Sequence, residues 1–393
     1  MISRARPAAT AILFALVCCL PLAAASAAFA ASDKARPRVF ISTDMQMISG
    51  INHIDGDKDD VQSLVHALMY QDRIDIVGIA SSTSRWQPGA NDKRFIHHTI
   101  DVYASDQPKL AAKGKSGDFK SARDLHAITY QGTKRLARLP RLLRPVNRSA
   151  SWADRWGYPA ATEASRAIVE EARAATAAGD KLYVVTWGGM GDIARALKDA
   201  PDIASSVRLI SIAGAAQEPN AYKYVFANFA GRRGFWWIDL NETFRGMYAS
   251  ETSKLPPSIT LDDVAAFAKG HGRLGDFFHE NSKDLRGKGD TYSGLKMGDS
   301  PSILYLVDAV NDDDPTAESW GGSYRLVKPN YWQDRTDPAA SLNFPDGKGA
   351  RTIYKHRAAW LGDFMARFDW LKKGSPSALS RSDDRAQPSR GRP

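Results

Sequence analysis

Residues 38–82 read RVFISTDMQMISGINHIDGDKDDVQSLVHALMYQDRIDIVGIASS, and this stretch decides the fold. Arg38 to Thr43 (RVFIST) is a short β-branched run bounded by Pro37 and Asp44, which suits a buried strand. Asp59 and Asp60 then open a helix. Val61, Leu64, Val65, Leu68 and Met69 recur at helical spacing, and the two acids lie at the positive helix N-terminus. Ile74 to Ser82 (IDIVGIASS) reads as a second strand. A strand, a helix and a second strand in this order form a parallel crossover unit.

The same alternation continues outward. Helices are expected over Arg94 to Tyr103, Thr162 to Ala178 and Ile193 to Leu197. Strands are expected over Lys181 to Trp187 (KLYVVTW), Val207 to Ala213 and Gly234 to Leu240 (GFWWIDL). The fold class is α/β, a single domain built on an open, mainly parallel sheet flanked by helices. Ligands of such sheets bind at the carboxyl ends of the strands. Asp44 and Asp192 lie at such ends. The Arg-rich segment from Asp118 to Trp156 has no clear periodicity and reads as a surface helix and loop.

The flanks read differently. Arg4 and Arg6, the apolar run Ala11 to Ala25 and the small-x-small pattern Ala28-Phe29-Ala30 form a signal peptide over residues 1–30. The protein is therefore expected to be exported, periplasmic or secreted, from a bacterial cell. Both cysteines, Cys18 and Cys19, fall inside that signal, so the mature chain has no thiol, disulfide or thiolate metal site. The domain spans 31–373, and the Ser-, Pro- and Arg-rich tail 374–393 is too polar to pack. The formal charge of +9 falls to +5 without Arg4, Arg6 and the tail from Ser375, which holds four arginines and two aspartates. The remaining basic residues are dispersed, so neither nucleic acid nor a membrane is an expected partner.

The sharpest local feature is acidic: Asp44, then Asp55, Asp57, Asp59 and Asp60. Clustered carboxylates are costly unless a cation neutralises them, and their hard oxygens suit calcium or magnesium. An EF-hand loop fails, because its sixth position is Asp60 and its twelfth His66. A solvated acidic loop capping a helix is the blander reading of the cluster alone.

Three motifs add to it. They are Thr43-Asp44 with Asp59-Asp60-Val61-Gln62-Ser63-Leu64 and the later Ser82-Thr83-Ser84-Arg85-Trp86; Trp187-Gly188-Gly189; and Gly298-Asp299-Ser300-Pro301-Ser302 with Ser319-Trp320-Gly321-Gly322-Ser323-Tyr324. In this order they resemble the nucleoside hydrolase-like superfamily, closest to exported bacterial relatives labelled cellulose-binding. The resemblance runs from about Arg38 to Tyr331 and implies a Rossmann-like sheet with a Ca2+ cofactor. It implies that Asp44, Asp60 and Asp299 are carboxylate ligands and that Gly191 ligates through its carbonyl. Asp59 matches the general base that activates water, and Asn220 matches a sugar-binding position. Arg85, Trp86, Trp187 and Trp320 lie in or beside the motif loops and are expected at the substrate.

This chain departs from the family's pattern in three places. Residues Met45 to Lys58 intervene between the first Asp and the Asp-Asp pair, carrying Asn52 and His53. Gly298 stands where many nucleoside hydrolases have a His that protonates the leaving base, and His53, His271, His279 and Glu280 are the substitutes on offer. Ser42 stands where the usual motif has a further Asp. The expected activity is calcium-dependent hydrolysis of an N-glycosidic bond in a nucleoside or small glycoside. The rival is a non-catalytic carbohydrate-binding protein on the same fold, with a polysaccharide as partner. A third reading, a two-carboxylate polysaccharide hydrolase, needs a second acid that sequence cannot locate. A homo-oligomer is among the expected assemblies.

Overall fold

The computed structural model describes residues 35–45, 58–87, 91–134, 161–248, 261–282, 295–308, 313–342 and 347–372. The expected signal peptide, the tail 374–393, the loop residues Asn52, His53, Asp55 and Asp57, and the Arg-rich stretch beyond 134 lie outside them. No helix among the described residues is long and apolar enough to cross a membrane.

Among the described residues eight strands form one sheet: β1 (Arg38–Thr43), β2 (Asp75–Ser81), β3 (Thr129–Gln131), β4 (Leu182–Thr186), β5 (Val207–Ile212), β6 (Trp236–Leu240), β7 (Tyr324–Lys328) and β8 (Tyr331–Asp334). Their spatial order is β3-β2-β1-β4-β5-β6-β8-β7. All neighbouring pairs are parallel except the closing β7–β8 hairpin. The order reverses beside β1, so the carboxyl ends of β1 and β4 lie at a topological switch point, where such sheets leave a crevice.

The helices used below are α1 (Lys58–Met69), α2 (Arg94–Ala104), α3 (Ala122–Ala127), α4 (Glu163–Ala177), α5 (Gly191–Asp199), α6 (Pro219–Phe229), α7 (Gly272–Glu280), α8 (Ser300–Val307) and α9 (Arg357–Asp369). They cover both faces. Val39 and Ile41 of β1 join α1, α2, α8 and α9 in one apolar core, and Phe40 joins α4, α5 and α6 in the other. This alternation along one strand is what two-sided burial requires. Thr162 caps α4 with a capping box to Ser165.

Every residue of α1 is buried, including Gln62 and His66 on the face the periodicity left polar. The reason lies in its partners. The Gln62 side chain donates to the Asn281 carbonyl at 2.9 Å and accepts from the amides of Lys296 and Met297 at 2.8 and 3.0 Å. One buried amide thus fastens the 295–299 segment onto the first helix. Strands β3, β7 and β8 have no counterpart in the sequence reading; of the helix and loop expected over 118–156, α3 is a helix in that segment and β3 was not expected.

Candidate metal centre

Three aspartates meet above the sheet's carboxyl edge. Oxygens of Asp59, Asp60 and Asp299 lie within 4.8 Å of one another, and all three residues are buried. Asp59 and Asp60 stand in the first turn of α1. Asp299 caps the N-terminus of α8, which Ser302 braces by donating its hydroxyl to the Asp299 carbonyl at 2.7 Å. Ser300 and Ser63 join α8 to α1 through their hydroxyls at 3.1 Å. The group therefore assembles because the two helices are bolted together beside it.

Asp44, just past β1, adjoins this group. Ser84 donates its hydroxyl to Asp44 Oδ2, and Asn91 donates to the Asp44 carbonyl at 2.8 Å. Thr43 donates its hydroxyl to Asp60 Oδ1, so consecutive residues grip the carboxylates of strand and helix. Asp44 Oδ1 is buried and has no hydrogen-bond partner among the described residues. Burial first, and the charge of Asp59 with it, pushes the Asp44 carboxyl up to about 7, against the opposing Ser84 bond. Asp60 is pushed well above the usual carboxylate range by burial, then by Asp44 and Asp59. Carboxylates so placed resist ionising together. A hard divalent cation relieves that conflict, and the all-oxygen donor set and the unpartnered Oδ1 fit one.

One cation is built in. Lys296 Nζ stands 3.3 Å from Asp59 Oδ2 and 5.2 Å from the Tyr248 ring centroid. A Cβ at Gly298 would sit 2.7 Å from Asp59 Oδ2 and 2.9 Å from a Tyr248 ring carbon. Position 298 is therefore closed to a side chain: where the family pattern has a histidine the Tyr248 ring fills the space, with Lys296 beside that ring. Neither was picked out from the sequence, since no local pattern ties them to the acids. Of the suggested substitutes, His271 reaches Asp369 at 3.3 Å and His279 the Ala265 carbonyl at 2.8 Å, both contacts within the helical layer.

The floor of the site is backbone. A Cβ on Gly188 would lie 2.5 Å from the Asp44 carboxyl, and one on Gly189 would lie 2.1 Å from the Thr83 carbonyl and 2.7 Å from Glu218 Oε2. The glycine pair is thus a flat strip between Asp44 and the buried Glu218. Glu218, the buried residue that precedes α6, was not singled out from the sequence, because nothing local marks its burial. Asn220 is half-buried on the first turn of α6, and Gly191 is the buried first residue of α5.

The aromatic candidates separate by exposure. Trp187 is 1% exposed and donates its ring N–H to Ser302 Oγ at 2.9 Å, so it packs beneath α8 with no face open to a ligand. Trp320 is buried in the same core. Trp86 is 57% exposed, with the Arg85 guanidinium 5.3 Å from its ring centroid. Its amide donates to Ser84 Oγ at 3.1 Å, which links it to the hydroxyl that holds Asp44. Asp192 proves to be a fastening residue. It accepts from Thr162 Oγ1 at 2.7 Å and from the Thr133 amide at 3.3 Å, tying α4 and α5 to the end of β3.

Comparison with known proteins bears on this arrangement. The family model described as cellulose-binding Sde182, nucleoside hydrolase-like domain, matches residues 38–324. A nucleoside hydrolase-related hypothetical protein from Saccharophagus degradans, associated with carbohydrate metabolism, superposes with a TM-score of 0.58 at 19% identity, over 87% of this chain and 73% of that one. A plant nucleoside hydrolase, PpNRh1, aligns at 14% identity and a TM-score of 0.44, over 85% and 99% of the two chains. The inosine-uridine preferring nucleoside hydrolase of Bacillus anthracis aligns at 13% and 0.42, over 85% and 99%. At these identities the likeness concerns the fold alone. No curated protein matches the chain.

Proposed function

Because the chain belongs to the family of cellulose-binding, nucleoside hydrolase-like domains, we propose that it is a calcium-dependent hydrolase of N-glycosidic bonds, acting on a nucleoside or a related small glycoside. The observation that carries this reading is the buried group of Asp59, Asp60 and Asp299 beside Asp44, at the sheet's switch point. In it Asp44, Asp60 and Asp299 hold the ion, with the Gly191 carbonyl as a further donor. Calcium bound there would supply a grip on vicinal sugar hydroxyls and acidify a water. Asp59 takes the proton of the attacking water, and Lys296 orients that carboxylate through Oδ2. Asn220, Arg85 and Trp86 contact the substrate. Gly298 offers no acid to the leaving group, so the reading favours substrates whose leaving group departs without strong protonation.

The test is release of base and reducing sugar from a panel of ribonucleosides, with and without Ca2+. Asp59→Asn is expected to lower turnover about a hundredfold or more while Ca2+ binding, measured by calorimetry, persists. Turnover unchanged in Asp59→Asn removes the proposed base. The second reading, carbohydrate binding without turnover, is favoured by the exposed Trp86 and by the closed position 298. Retention on insoluble polysaccharide with no release from any nucleoside would select it. We also infer export to the periplasm or medium, with cleavage after Ala30 and a domain over 31–373; the N-terminal sequence of the protein recovered from cells checks both.

A further inference from the structure

A second group of ligating side chains lies away from the acids. His97, in the first turn of α2, and His126, in the last turn of α3, face each other with Nδ1 atoms 2.7 Å apart. Their rings tilt by 45° with centroids 4.8 Å apart, and both are half-exposed. The far nitrogen of His126, Nε2, lies 3.0 Å from Asp101 Oδ1. We propose that His97 and His126 form a two-imidazole site for a transition-metal cation of the copper, nickel and zinc class.

Three physical arguments support it. The first is donor chemistry: imidazole nitrogens suit these metals, whereas the oxygen-only centre suits calcium or magnesium. The second is orientation. Asp101 accepts from Nε2–H of His126, which leaves the Nδ1 lone pair for a metal, the carboxylate–histidine–metal arrangement. The third is span. Two nitrogens each about 2.0–2.1 Å from one ion stand about 2.9 Å apart at a right angle. The pair need open by only a few tenths of an ångström, and cis positions in a tetragonal field ask for the least movement. Copper(II) has that geometry and heads the affinity order.

The surrounding charges agree. Asp92 and Asp101 act on His97 against one ammonium, Lys93, and Lys93 is paired with Glu163 at 2.9 Å. Burial, with the facing His126, lowers the tendency of His97 to hold a proton, which leaves its nitrogen available to an ion. A metal there would pin α3 to α2. The α2 helix starts three residues after Asn91, which holds Asp44, and α3 leads into β3.

The experiment titrates Cu2+ into the purified full-length protein, with excess Ca2+ to occupy the oxygen centre, and follows calorimetry and electron paramagnetic resonance. One equivalent is expected to bind, with superhyperfine splitting from two nitrogens. His97→Ala and His126→Ala should each lose that splitting. Asp101→Asn should keep it while weakening binding about 10–100-fold. His126→Gln, with circular dichroism and metal-free melting recorded for each variant, guards against loss of fold. The proposal is overturned if copper shows only oxygen ligands, if binding survives both alanine variants, or if none occurs at micromolar protein.

Discussion

At Asp44 two demands oppose each other. The carboxylate is buried among acids, which favours its neutral form, yet a cation needs it ionised. Its folded pKa of about 7 lies above the ordinary 3.8. The stability it contributes is therefore fully present below pH 3.8 and lost as pH rises through 7. Asp44→Asn is accordingly expected to make the metal-free protein more stable at pH 8, by up to about 4 kcal/mol, and to give a smaller gain at pH 5. Ca2+ is expected to raise the melting temperature of the native protein and to leave that of this variant unchanged. Scanning calorimetry at both pH values decides it, and a metal-free Asp44→Asn that melts lower than native at pH 8 would refute the conflict. The residue type and its place after RVFIST were legible in the sequence. Its complete burial, the larger part of its cost, was not, because the local string says nothing about burial.

At the scale of elements, strands β1, β2, β4, β5 and β6 and the helices between them were legible because their apolar residues repeat with a clear period. Strands β3, β7 and β8 are three, five and four residues long, too short for a period to show. The candidate site divides in the same way. Asp44, Asp59, Asp60 and Asp299 stand in motifs, whereas Tyr248, Lys296 and Glu218 reach the site through turns that only packing defines. The turn into α8 makes a tight demand. Gly298→Ala should destabilise the protein by about 1–3 kcal/mol, because its methyl meets Asp59 and Tyr248 at once. Adding Tyr248→Ala should recover part of that loss, whereas purely additive losses in urea melts would show that Tyr248 is not the obstacle.

Across the whole molecule, α1 is held between the sheet and α9. His66 is sealed there with its ring edge-on to Tyr70 and Phe364, at 4.7 and 4.8 Å, and neither nitrogen has a hydrogen-bond partner among the described residues. Burial first, then the Arg367 guanidinium, lowers its pKa to about 3, against an ordinary 6.5. Below pH 6.5 the unfolded chain takes up this proton and the folded chain does not. Stability is thus complete above 6.5 and lost as pH falls toward 3, by about 1.4 kcal/mol per unit at most. His66→Leu should flatten the dependence of urea stability on pH between 6 and 4, and curves that stay parallel to native would deny His66 that role. The position of Asp299 has another consequence. The sheet's first strand and first helix carry their acids from the beginning of assembly, yet the last carboxylate arrives only with α8, after six strands have been made. A nascent or truncated chain holds the repulsion without the means to quench it. On the proposed reading, capture of an ion would be a checkpoint on complete folding, passed only once both ends of the domain have met.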